Sequence, residues 1–437
     1  YGTDDKGRQG AALLYDVWDP ALGTGPESHM VLSNTTKTDI FCSAQSLLWS
    51  TGEVLITGGD LTVDGKRNFS NNKTTIFSPL TNTIRTAPQM AYPRWYPTMV
   101  AMPNGEMVVI GGRIAPFSQW AKTPEVYSPV TGSWRTLTGA TDSTLNGDYP
   151  RAFLRPDGRI FYIGPAGDMA TIDTAGNGSV TKLPEQAAQS DGTLATVMYR
   201  PGKLLSLRFN DDNGVHKPVV QLINIWGHKA TVTNGAPIDQ LRSLANATLL
   251  ADGTVFVSGG SRIGNKLPAI YTSMIWDPRS GAWTQGATSL TPRLYHSIAL
   301  LLPDATVLTA AGGSPGPVVN LNAEIYYPAY LYDDATGQPA TRPVLVSAPA
   351  EAKVGQKVVV KVKAGNVIGR VTFVRTGSVT HVTNNDQRFL EADFKQDRNT
   401  IVASLPKNPN VALPGYYMMF VFENGIPSVS KIIHVTP

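Results

Sequence analysis

Short apolar runs punctuated by glycine and proline recur along the whole chain, and no segment repeats its apolar positions about every 3.6 residues between helix caps. Residues 52–59, 105–112, 253–260 and 305–313 share one layout: a turn, an apolar strand and a Gly-Gly pair. The pairs stand 53 residues apart from Gly58 to Gly111, and 53 apart again from Gly259 to Gly312. Weaker copies at 158–164 and 202–207 occupy the interval between them. A second motif interleaves with the first: a strand running out near a Pro or Asp, at 15–20, 75–79, 126–129, 171–174, 222–226, 274–278 and 325–328. A period of about 50 residues with a Gly-Gly turn and a recurrent Trp (Trp134, Trp283) is the kelch signature of a β-propeller. The seven outer strands predict seven blades.

The inner strand pairs number one fewer, because the pair for the first blade would have to precede Gly10 and residues 1–9 are short and polar. The expectation is a chain that starts inside a longer protein, with the first blade completed by residues before residue 1. After Tyr332 the texture changes. Residues 333–339 read as a polar linker, and 353–363 alternate apolar and charged positions. Several short strands follow in the remaining hundred or so residues, a pattern that predicts an immunoglobulin-like sandwich without its disulfide. The expected division is 1–338 for a seven-bladed, kelch-type propeller and 339–437 for the sandwich, all-β throughout.

Composition narrows the function classes. Gly 41 and Pro 32 fit many tight turns, and charged residues make up only 16% of the 437. The net charge of +4 is scattered, without a basic stripe, so nucleic acid is not an expected partner. No apolar run reaches the ~18 residues a membrane span needs. A single cysteine, Cys42, excludes an internal disulfide. Sequons at Asn34, Asn68, Asn72, Asn177 and Asn246 fit an extracellular or cell-surface protein, and a monomer is expected.

Candidate chemistry gathers at strand entries. Tyr295 and His296 stand just ahead of the apolar run 298–302, Cys42 ahead of one innermost strand and Tyr96 ahead of the next. Inner strands of a propeller surround one channel and their entry turns share a rim, so these residues can meet. Each one alone is ordinary packing. Phenol and imidazole together can ligate a transition metal.

Phe41-Cys42, Arg94-Trp95-Tyr96, Arg293-Leu294-Tyr295-His296-Ser297, and Gly377 to His381 with Asn385 to Arg388 resemble the copper-radical oxidases, the family of galactose oxidase and glyoxal oxidase. The resemblance extends through 412–418 and 425–429. It implies one copper ion held by Tyr96, Tyr295, His296 and His381, with Tyr96 joined to Cys42 by a thioether and oxidised to a radical. It also implies oxidation of a primary alcohol, or of a small aldehyde as its hydrate, with O2 reduced to H2O2 and Tyr295 as the general base. The sequence departs from galactose oxidase after Gly111-Gly112, where Arg113-Ile114 stand in place of a Trp that stacks over the crosslink. That departure leans towards the glyoxal-oxidase branch and leaves Trp120, Phe209 and Trp226 as candidate shields. Arg151 is a candidate substrate contact, with a turn residue as its plainer reading. The alternative to an oxidase is a non-catalytic kelch propeller that binds protein or glycan through its rim loops.

Overall fold

The computed structural model describes residues 13–437 apart from 65, 115–118 and 228. Among the described residues the only helical elements are four short 3-10 turns; everything else regular is β-strand. Six antiparallel sheets follow one another along the chain, five of four strands and the last of three. Their first strands are Ala44–Leu47, Thr98–Ala101, Arg151–Leu154, Thr196–Arg200, Asn246–Leu249 and Ile298–Leu301. First strands of neighbouring sheets lie side by side, the first sheet with the second, the second with the third, the fourth with the fifth and the fifth with the sixth. Hairpins Asp60–Val63/Lys66–Ser70 and Arg113–Ile114/Gln119–Trp120 rise from the first two sheets. Leu14–Trp18 pairs with His29–Ser33, and among the described residues no other strand joins that hairpin. The expected completion of the first blade by residues before residue 1 lies outside the described residues.

Second strands such as Met107–Ile110, Ile160–Ile163 and Val255–Ser258 are buried at every position. They are covered on both faces, which is why the sequence shows unbroken apolar runs there instead of alternation. The Gly-Gly pairs have a steric cause. A Cβ on Gly58 would lie 2.5 Å from the Arg94 carbonyl, and one on Gly259 would lie 2.5 Å from the Arg293 carbonyl. Both glycines have φ +71°, a region that other residues enter only with strain. The second glycine of each pair donates its N–H to that same carbonyl, at 2.9 Å for Gly59 and 2.7 Å for Gly260. These two pairs therefore seat the Pro-Arg turn of the next sheet in the cycle.

Those arginines are themselves braced. Arg94 donates to Glu125 at 2.9 Å with both side chains fully buried, and Glu125 also accepts from Ala91 N and Tyr92 N. Arg293 donates to Glu324 at 2.9 Å, and Glu324 accepts from Leu290 N. The spacing between partners is 31 residues in both cases, one more trace of the repeat.

Beyond the six sheets, Leu345–Ser347, Lys357–Val362, Thr400–Ser404 and Phe394–Asp397 form one sheet, and Glu351–Lys353, Lys431–Thr436, Gly415–Glu423, Arg370–Arg375 and Phe389–Glu391 a second. The two share a core that takes Val358, Val360 and Val362 from the first and Phe373, Tyr417, Met419 and Ile433 from the second. Glu351–Lys353 runs parallel to Lys431–Thr436. Gly415–Glu423 is nearly continuously buried because its two faces serve different cores: Tyr417, Met419 and Val421 point into this one, while Met418, Phe420 and Phe422 join a core with Val197, Phe256 and Leu301 of the sheet cycle.

Of the expected sequons, Asn34 and Asn246 are buried, the latter donating to Ser297 at 3.0 Å. Asn68 and Asn177 are exposed. No helix among the described residues is long and apolar enough to cross a membrane.

Candidate metal centre

The site is assembled from one local geometry used repeatedly. Cys42, Tyr96, Tyr149 and His296 each stand at the entry to the first strand of a sheet with φ of 62°, 62°, 44° and 68°. A left-handed residue there turns the chain sharply into the strand. Consecutive entries are linked: Tyr96 N donates to Cys42 O at 3.0 Å, and Tyr149 N to Tyr96 O at 2.8 Å. Cys42, Tyr96 and Tyr149 pack in one buried cluster, with Phe41, Trp95 and Tyr295 against it.

His381 arrives from the loop after Arg370–Arg375. Ser378 donates to the Gln45 carbonyl at 2.9 Å, and Gln45 returns a bond to Val379 O at 2.9 Å. Thr380 and Thr383 close the loop on each other. The loop is thereby tied to the strand that follows Cys42. It brings His381 Nε2 to 3.5 Å from Cys42 Sγ, and the ligand atoms of Cys42, His296 and His381 all lie within 4.8 Å of one another.

The rings of Tyr96, Tyr295 and His296 surround His381, with centroids 4.8, 5.5 and 4.2 Å from its own. The His296–His381 planes stand at 89°. His296 Nδ1 donates to the Ser314 carbonyl at 2.5 Å, so the neutral ring carries its lone pair on Nε2. That Nε2 is buried and has no hydrogen-bond partner, a state that costs about 1–3 kcal/mol unless something fills it. His381 Nδ1 contacts Thr380 Oγ1 at 2.7 Å. Burial pulls the His296 pKa down to about 4, and burial with the nearby His296 pulls His381 well below the usual range. Both imidazoles are therefore neutral near pH 7 and able to ligate. Burial, with Asp60, Asp39 and Asp148 adding to it, pushes the Cys42 thiol well above its usual range, so Cys42 is not a ready thiolate ligand. Burial, then Cys42, also raises the Tyr295 phenol; a cation at the centre would act in the opposite direction. Two neutral imidazoles and two phenols with one orphaned nitrogen fit a copper ion.

Cys42, Tyr96, Tyr295, His296 and His381 thus meet in one place, from sheets far apart in sequence. Arg151 does not join them. It is buried, and its guanidinium donates to the carbonyls of Tyr149, Gly192 and Leu194. Of the expected shields, Phe209 and Trp226 stand elsewhere, while Trp120 lines the same cavity as Tyr96, Tyr295 and His381. Phe209 is buried under His216, Trp226 is exposed and packs by Gly202, and Trp120 lies over Arg113. The ring on Tyr96 is that of Trp95, at a centroid distance of 3.8 Å and 19° between planes. Tyr149 was also missed, although it follows Tyr96 by the same 53 residues that separate the glycine pairs.

Comparison with known proteins agrees with this geometry. The family model for the glyoxal oxidase N-terminus matches residues 9–199, and that for the galactose oxidase-like early set domain matches residues 342–435. A galactose oxidase of Gibberella zeae is 28% identical over 98% of this chain, which spans 65% of that protein's length. Aldehyde oxidase GLOX of Vitis pseudoreticulata is 25% identical, with 97% of this chain and 88% of that protein covered. The structure of a fungal alcohol oxidase of the AA5 family, solved in complex with copper, superposes with a TM-score of 0.85 at 25% identity over 97% of this chain and 90% of that one. Over residues 9–199 and 342–435, and along nearly its whole length, the chain is thus similar to the galactose oxidases and glyoxal oxidases.

Proposed function

We propose that the protein is a copper-radical oxidase with the balanced reaction RCH2OH + O2 → RCHO + H2O2, an aldehyde reacting as its hydrate. The observation that carries this reading is the buried, unpartnered Nε2 of His296, its tautomer fixed by Ser314, among the rings of His381, Tyr96 and Tyr295. His296, His381, Tyr96 and Tyr295 would hold the copper, which supplies one of the two electron-accepting centres the reaction requires. Tyr96, bonded through a ring carbon to Cys42 Sγ, supplies the other, because a thioether sulfur makes the phenol easier to oxidise. Tyr295 Oη takes the substrate's hydroxyl proton, and Tyr96 takes the hydrogen atom from the carbon. Trp95, stacked on Tyr96, keeps water from that ring. Around this chemistry we read the six sheets and the N-terminal hairpin as a seven-bladed propeller, and the last two sheets as an immunoglobulin-like sandwich lending His381.

The test is peroxide release by copper-loaded protein over a panel of primary alcohols and small aldehydes. Turnover that disappears in His296→Ala and His381→Ala is expected. A correctly folded, copper-loaded protein inert on the whole panel would favour the reading as a rim-loop binding module.

A further inference from the structure

A cavity of about 320 Å³ opens over Tyr96, Tyr295 and His381, and its charges are arranged in an unusual way. Among the described residues lining it, Arg113 is the only lysine or arginine, and it is already spent. Its Nε and Nη2 bind both Asp148 oxygens at 2.8 and 2.7 Å, and its guanidinium lies 4.8 Å from the Trp120 ring centroid. The hydrogen bond to Asp148 holds the Arg113 pKa above its usual value, so the guanidinium keeps its charge. A second carboxylate, Asp191, lines the same cavity and accepts from Thr193 and from Ser243 Oγ at 2.8 Å. The cations Arg262 and Lys266 line a separate outer groove that meets this cavity at Asp191.

The pair is also built onto the reacting ring. Arg113 N and O exchange hydrogen bonds with Trp95 O and N at 2.6 and 3.0 Å, and Trp95 precedes Tyr96. Asp148 precedes Tyr149, whose N–H is bound to Tyr96 O. Arg113 is therefore held next to the centre while its charge is cancelled there, with Asp191 left over. We propose that this arrangement makes the site select uncharged substrates and reject carboxylated ones, with the Arg113–Asp148 pair as the specificity determinant. A carboxylate entering the cavity meets Asp191 beside an already neutralised pair, and it can reach Arg113 only by displacing Asp148. The inference rests on the oxidase reading for its chemistry, although the charge pattern stands by itself.

Glyoxal and glyoxylate, which differ in one charged group, serve as probes. Wild-type protein should show kcat/KM at least about tenfold higher for glyoxal, the scale of one charged hydrogen bond gained or lost. Asp148→Asn leaves Arg113 in place with its charge uncancelled, and should lower that ratio by about tenfold through a gain on glyoxylate. Arg113→Met leaves both carboxylates and should raise it. A pair that only braces the loops would depress both substrates together and leave the ratio unmoved. A wild-type ratio near one, or a ratio unaltered in both variants, overturns the proposal. If wild type oxidises neither probe, the oxidase reading is left to the full alcohol and aldehyde panel, and calorimetry on copper-free protein decides the charge argument. Glyoxylate should then bind Asp148→Asn but not wild type, and equal binding to the two overturns it.

Discussion

Cys42, Tyr96, Tyr149, Leu244 and His296 lie at the entries to the first strands of five sheets, and all five have φ between 44° and 68°. For residues with a Cβ this conformation costs on the order of 1–2 kcal/mol each. The rest of each sheet has to supply that energy, and the return is side chains collected at one rim. Tyr149 follows Tyr96 at the 53-residue spacing of the glycine pairs, so its position was readable from the repeat. The stacking of Trp95 was not, because a pattern of apolar and polar positions does not say which way a side chain leaves a left-handed turn. The Arg113–Asp148 pair was equally hidden: its partners stand 35 residues apart on loops of two different sheets. Trp95→Leu should leave the fold intact but shorten the lifetime of the oxidised Tyr96 radical by at least about tenfold, if stacking by an aromatic neighbour is what protects it. Decay of the radical's electron paramagnetic resonance signal measures this, and an unchanged half-life would remove Trp95 from the shielding role.

At the level of the sheet, the Gly-Gly pair, the Pro-Arg turn and the Glu about thirty residues later act as one unit. The glycines and the turn were visible in the sequence because they recur. The glutamates were not, since Glu125 and Glu324 look like ordinary strand residues until their partners are known. Glu125→Gln would leave Arg94 charged and fully buried beside a neutral amide, and should cost about 3–5 kcal/mol in urea unfolding. Glu324→Gln should cost less, because the Glu324 side chain is 23% exposed and water can take over part of its role. The reverse order would mean that the buried pair is not what holds the turn.

Over the whole molecule, the strand Gly415–Glu423 joins two cores, and the loop carrying His381 is stitched to Gln45. The alternating run 353–363 foretold the strand Lys357–Val362; nothing in the sequence foretold that another strand would be buried on both faces by different cores. Arg370 adds to the join, binding Glu391 through both oxygens at 2.8 Å and the Asp252 carbonyl at 3.0 Å. The hydrogen bond to Arg370 holds the Glu391 carboxyl below its usual range. This contribution is complete above the unfolded carboxyl pKa of about 4.3 and disappears as pH falls through the lower folded value. Glu391→Gln should therefore lower the melting temperature at pH 7 by an amount that shrinks as pH falls below about 4, and a difference independent of pH would point to packing alone. The proposed chemistry requires the strand-entry turns that carry Cys42 and Tyr96 to meet closely enough for a covalent bond between the two side chains. Intact-mass spectrometry after copper loading in air tests that most directly. A thioether leaves the chain about 2 Da lighter with its thiol gone, whereas oxidation of the free thiol to a sulfenic, sulfinic or sulfonic acid adds mass. The predicted result is the 2 Da loss, mapped to a crosslinked peptide pair containing Cys42 and Tyr96, about two hydrogens lighter than its parts. Full-mass protein with a titratable thiol after copper and oxygen would contradict it.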